Sequence, residues 1–194
     1  MTSRQEAAEA TRRLLIDTAD RLVRERGYEN LSVEDITKAS GVAKGTFYHH
    51  FKRKEDIILA LSQSHLAELM SLIPTLGTDD PIISIGNYLQ QFITVVQKSD
   101  VQLTRQWVRY IVEPVNQQKW ANDWQGIRQL LQALIENRRL SATTPVDELA
   151  QALMTEIYGI VLSWCVSPAT VQPLAVLKQF NQVQLAGLLT PYLL

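Results

Sequence analysis

Six side chains within eleven residues could together hold a polyanion: Lys44, Thr46, Tyr48, His49, His50 and Lys54. An ammonium group neutralises a phosphate and a hydroxyl or phenol donates to its oxygens. Imidazole and phenol rings also offer donors and flat faces to base edges. Gly45, set among them, has no side chain, so the backbone there can approach such a surface closely. From Lys38 to Lys54 the charged residues are Lys38, Lys44, Lys52, Arg53 and Lys54, with no Asp or Glu. The whole chain has a formal charge of −1, so any attraction for an anionic partner is local. A basic run alone is usually a solvated face, and its meaning depends on the elements that hold it.

Those elements are legible. Leu15, Ala19 and Leu22, with Ile16 and Val23, recur at helical spacing and predict a first helix over about 7–26, stopped by Gly27. Ser32 precedes Val33-Glu34-Asp35-Ile36, placing a capping hydroxyl and first-turn carboxylates at the start of a short helix over 33–39. Ser40-Gly41-Val42 is the break, and a third helix over 44–51 follows Ala43, a poor cap. Ile36, Ala39, Val42, Phe47 and Phe51 are the expected core, with Ala39 small enough for a close crossing. Two short helices around a glycine turn over 32–51 have helix-turn-helix spacing. The turn would set Lys44 and Thr46 at the positive end of the third helix, and Lys54 could grip a flanking phosphate.

Ile58, Leu61, His65, Leu69 and Leu72 predict a long fourth helix ending near Pro74. Leu76-Gly77-Thr78-Asp79-Asp80-Pro81 is the clearest turn-rich boundary. Helical patterns follow over 82–98, 101–113, 118–139, 146–166 and 173–189, and no strand alternation appears. The fold class is all-α, with domains expected over 9–69 and 74–194.

The stretch from Gly41 to Glu55 resembles the signature of TetR-family (tetracycline-repressor type) transcriptional regulators, and the resemblance covers about residues 10–65. It implies a three-helix DNA-binding domain joined by a long helix to a C-terminal ligand-binding and dimerisation domain. It further implies DNA contact by Lys44, Gly45, Thr46, Tyr48, His49, His50 and Lys54, with Ser32 and Thr37 near the backbone. Ala43 and Arg53 depart from the usual pattern at cap positions. The partners implied are a palindromic duplex operator, a second copy of the chain and a small effector, with repression as the default sign.

The rest of the sequence constrains function more loosely. All three histidines fall at or before residue 65, no glycine-rich phosphate loop is present and the single cysteine is Cys165, so the pattern is not that of an enzyme, a metal site or a disulfide scaffold. No cofactor is implied. An adaptor on the same fold would lack the basic and aromatic groups of the third helix, which are present. The N-terminus lacks the apolar core of a secretion signal, and a cytoplasmic protein without membrane contact is expected. Trp107, Tyr110, Trp120, Trp124, Tyr158 and Trp164 are the expected lining of a site for an apolar or aromatic, uncharged or cationic, molecule. Leu149, Leu153, Ile160 and Trp164, with Val176, Phe180 and Val183, are the expected stripes of a symmetric dimer.

Overall fold

The computed structural model describes residues 3–98, 100–113 and 117–194. The elements in chain order are α1 (Ser3–Arg26), α2 (Val33–Ser40), α3 (Lys44–His50), α4 (Asp56–Met70), α5 (Ile73–Leu76), α6 (Pro81–Lys98), α7 (Val101–Val112), α8 (Gln117–Glu136) and α9 (Val146–Val166). The last predicted helix is divided into α10 (Pro173–Phe180), a π-helical stretch Asn181–Leu185 and α11 (Ala186–Leu189). The fourth helix is shorter than its apolar pattern suggests. It stops at Met70, and Pro74 sits in the first turn of α5, where its missing N–H costs nothing.

Two compact units are present. The first comprises Met1–Ser64 with Lys98–Trp107, and the second His65–Gln97 with Val108–Leu194. In the first, Leu15, Ala19 and Leu22 of α1 form a core with Leu31, Ile36, Phe47, Phe51, Ile57 and Leu61. Ala39, expected in that core, is exposed, and Val42 is half-buried. The inward stripe of α2 is Val33, Ile36, Thr37 and Ser40, an i, i+3, i+4, i+7 series that leaves Ala39 to one side.

The second unit is built on Ile85, Tyr88, Leu89 and Ile93 of α6, Ile127, Leu130, Leu131 and Leu134 of α8, and Leu153, Met154 and Ile157 of α9. By length and composition α9 could cross a bilayer. Its buried residues run from Leu149 to Cys165 and its first turn carries Asp147 and Glu148, which is the pattern of a core helix. Leu149, Leu153, Ile160 and Phe180, expected at a dimer surface, are interior residues of the protomer. On α9, α10 and the π-helical stretch, Leu162, Val166 (73% exposed), Leu174, Val176 and Val183 (72% exposed) are left outside.

Gly126 of α8 carries a packing constraint. A Cβ there would lie 2.0 Å from Tyr88 Oη and 3.2 Å from Tyr88 Cζ, and Tyr88 is fully buried. The ring has no room to retreat, so Gly126→Ala should lower the thermal midpoint by about 3–10 °C through overpacking. Adding Tyr88→Phe, which deletes the clashing oxygen, should recover part of that loss. A Gly126→Ala protein melting at the wild-type temperature would show that the contact can relax.

Candidate nucleic-acid interface

The candidate surface begins at the α2 cap. Ser32 Oγ accepts from the Asp35 N–H at 3.1 Å, and the Ser32 N–H donates to Asp35 Oδ2 at 2.9 Å, closing a reciprocal capping box. The Ser32 hydroxyl also donates to that carboxylate, and the Ser32 bonds hold the Asp35 carboxyl below its ordinary value of 3.8. Gly41 ends α2 at φ 69°, a left-handed conformation that a side chain would strain.

Helix α3 has no side-chain cap at Ala43 and is fastened from the side instead. Phe47 and Phe51, one turn apart, are buried with ring centroids 5.4 Å from each other. Because these two face inward, Lys44, Gly45, Tyr48 (47% exposed) and His49 face out, and Thr46 is half-buried. A Cβ on Gly45 would meet nothing within 4 Å, so the space beside it is open.

Across the turn, Lys44 Nζ reaches Glu34 Oε1 at 2.7 Å. The bond raises the lysine pKa and lowers that of the glutamate, the hydrogen bond being the larger cause on both sides. His50 is half-buried, with its ring 5.3 Å from that of His49, and Arg12 of α1 lies over the Phe51 ring at 5.4 Å. Burial, then the positive fields of His49 and Arg12, push the His50 imidazole below its ordinary 6.5 against the opposing pull of Glu9.

Two of the expected DNA contacts have partners within the protein. Thr37 is buried and its hydroxyl donates to the Glu34 carbonyl at 3.1 Å, because that position lies on the inward stripe of α2. Lys54 donates to the Tyr28 carbonyl at 3.0 Å and stands 4.1 Å from the centre of the Tyr28 ring, so it fastens the turn after α1. The Tyr28 N–H in turn donates to Asp100 Oδ2 at 3.0 Å, while Asp100 Oδ1 accepts from the Leu103 N–H at 2.8 Å and caps α7. Burial first, then Glu55 and Glu29, drive the Tyr28 phenol pKa far up. Glu34, Tyr28 and Asp100 are the residues that sequence reasoning missed as partners. Glu34 precedes the helix break in plain view, whereas nothing in the sequence signals a bond across 72 positions.

Of the aromatic residues expected to line a ligand site, Trp107 is 8% exposed and belongs to the first compact unit rather than the second. Tyr110, Trp124, Tyr158 and Trp164 are half-buried in the second, and the side chain of Trp120 lies outside what the structure describes. Among the described residues, no three His, Cys, Asp or Glu side chains gather to hold a metal ion.

Residues 15–61 match the family of bacterial regulatory proteins designated tetR. The HTH-type transcriptional regulator AcrR of Shigella flexneri is 29% identical, over 99% of this chain and 93% of its own. Among solved structures, FadR of Thermus thermophilus, a TetR-family repressor in complex with lauroyl-CoA, superposes with a TM-score of 0.70 at 19% identity, covering 90% of this chain and 92% of FadR. SmeT, the repressor of a Stenotrophomonas maltophilia multidrug efflux pump, gives 0.61 at 20% identity, covering 96% and 92%, and has also been solved with triclosan.

The capping box yields a pH test. A carboxyl whose folded pKa is depressed stabilises the fold above its unfolded value and loses that contribution as the pH falls through the folded value. Asp35→Asn should therefore lower the thermal midpoint by about 2–4 °C at neutral pH. The gap from wild type should begin to close only below the ordinary 3.8. A gap that persists unchanged in acid would remove the carboxylate from the cap.

Proposed function

We propose that this chain is a regulator of the tetR type, a repressor that reads a palindromic operator with α3 and is released by an apolar or aromatic effector. The single observation carrying the DNA reading is the outward set Lys44, Gly45, Tyr48 and His49, held on a two-turn helix by the buried Phe47 and Phe51. Lys44 and Tyr48 would take phosphates, and His49 with Thr46 would face base edges, while the open space at Gly45 admits close backbone approach. Ser32 would remain at the phosphate backbone, since its capping hydroxyl is exposed. Repression follows from occupancy, because a protein covering promoter DNA excludes polymerase. A regulator of chromosomal DNA works in the bacterial cytoplasm.

The dimer is best supported by the apolar residues left outside on α9 and on the α10 to π-helical segment: Leu162, Val166, Val176 and Val183. Two α3 helices would then enter successive major grooves about 34–36 Å apart. For the effector, support comes from Tyr110, Trp124, Tyr158 and Trp164 in the second unit. Two proteins of like fold bind molecules with a large apolar part, the acyl chain of lauroyl-CoA and triclosan.

Duplexes retained by the protein from fragmented genomic DNA supply the test. On the selected duplex, Lys44→Ala and Tyr48→Ala should each weaken a gel-shift titration, and each lost phosphate contact should lower the log–log salt slope by about 1 per half-site. Light scattering should give two protomers per duplex. Unchanged binding by both variants would overturn the groove assignment.

Tryptophan fluorescence tests the effector. Trp107→Phe removes the indole that sits in the first unit, leaving signal from the second. Lauroyl-CoA or triclosan should quench it saturably and weaken duplex binding over the same range. Quenching with no change in DNA affinity would break the proposed coupling.

A further inference from the structure

We propose that Glu34 is a built-in phosphate mimic, a carboxylate that occupies the Lys44 ammonium in the free protein and holds down the affinity of the reading surface for any duplex. The inference rests on the assignment of α3 as the DNA-contacting helix. Glu34 Oε1 lies 2.7 Å from Lys44 Nζ, the distance at which a phosphate oxygen would accept from the same group. The side chains are 76% and 54% exposed, so the pair sits on the surface and competes directly with an incoming phosphate. The hydrogen bond pulls the two pKa values apart, which keeps both groups charged at neutral pH.

Other acids near this surface have different duties. Asp35 closes the capping box and lies 3.9 Å from Arg26, and Asp56 accepts from the Arg53 N–H. From Lys38 to Lys54 there is no acid, and Glu34, from the preceding helix, is the carboxylate that holds the first lysine of α3. When a duplex approaches, Lys44 must exchange Glu34 for a phosphate, and the freed carboxylate is left facing the negatively charged backbone. Both steps cost binding free energy on every sequence. The exchange also reduces the net ion release, because a freed carboxylate regains a cation as the phosphate loses one.

Full-length Glu34→Gln, which preserves shape and removes the charge, is compared with wild type on a mixed-sequence duplex across a salt series. The variant should bind tighter at low salt by on the order of two- to five-fold per protomer. Its log–log salt slope should steepen by up to about 1 per protomer. Glu34→Ala should move affinity in the same direction, guarding against an effect of the introduced amide. In a Lys44→Ala background the gain from Glu34→Gln should shrink, since no ammonium remains to be released. If Lys44→Ala weakens binding but both Glu34 variants bind no tighter than wild type, Glu34 merely positions the lysine and the proposal is overturned while the groove assignment stands. If Lys44→Ala itself has no effect, the groove assignment fails first.

Discussion

The surface proposed to meet DNA depends on the burial of Phe47 and Phe51. Helix α3 has seven residues, begins without a side-chain cap and contains a glycine, and an isolated segment of that kind would not stay helical in water. It persists because two rings one turn apart are buried in the core of the first unit. The orientation of Tyr48 and His49 is a consequence of that anchoring, since neighbouring positions on a helix point roughly 100° apart. A regulator built this way spends its apolar residues on aim, and the outward residues remain free to suit a sequence.

A second fastening sits behind the first. Lys54, Tyr28 and Asp100 form a chain of contacts from the start of α4, through the turn after α1, to the cap of α7. Each link uses backbone as well as side chain, so a displacement of the α7 cap would be felt at the Tyr28 amide and, through the Tyr28 carbonyl, at Lys54. Helix α7 itself is shared, with its residues up to Trp107 in the first unit and those from Val108 in the second.

Most helix limits were readable from Gly27, Ser32, Gly41 and the prolines, because capping and chain reversal are local physics. What was not readable involved choices between faces. On α2, Ile36 fits a stripe through Ala39 and equally one through Thr37 and Ser40; the second prevails because the Thr37 hydroxyl can satisfy itself on the Glu34 carbonyl while buried. On α9 both faces are apolar, so periodicity alone could not tell that Leu149, Leu153 and Ile160 belong to the interior and Leu162 and Val166 to the outside. The type and place of Lys54 suit a phosphate ligand, but its partner within the protein lies 26 positions earlier and is visible only in three dimensions.

The bond from Tyr28 to Asp100 also bears on modularity. Regulators with a reading head and a sensing body invite recombination, a head from one protein joined to the body of another at the helix between them. Here the head is not one continuous stretch of chain: a graft ending at Ser64 would carry the Tyr28 amide without the carboxylate that receives it and would leave behind the segment Lys98–Trp107 that completes the unit. A chimaera that keeps both pieces, or supplies an equivalent acid at the α7 cap, preserves the Tyr28 bond.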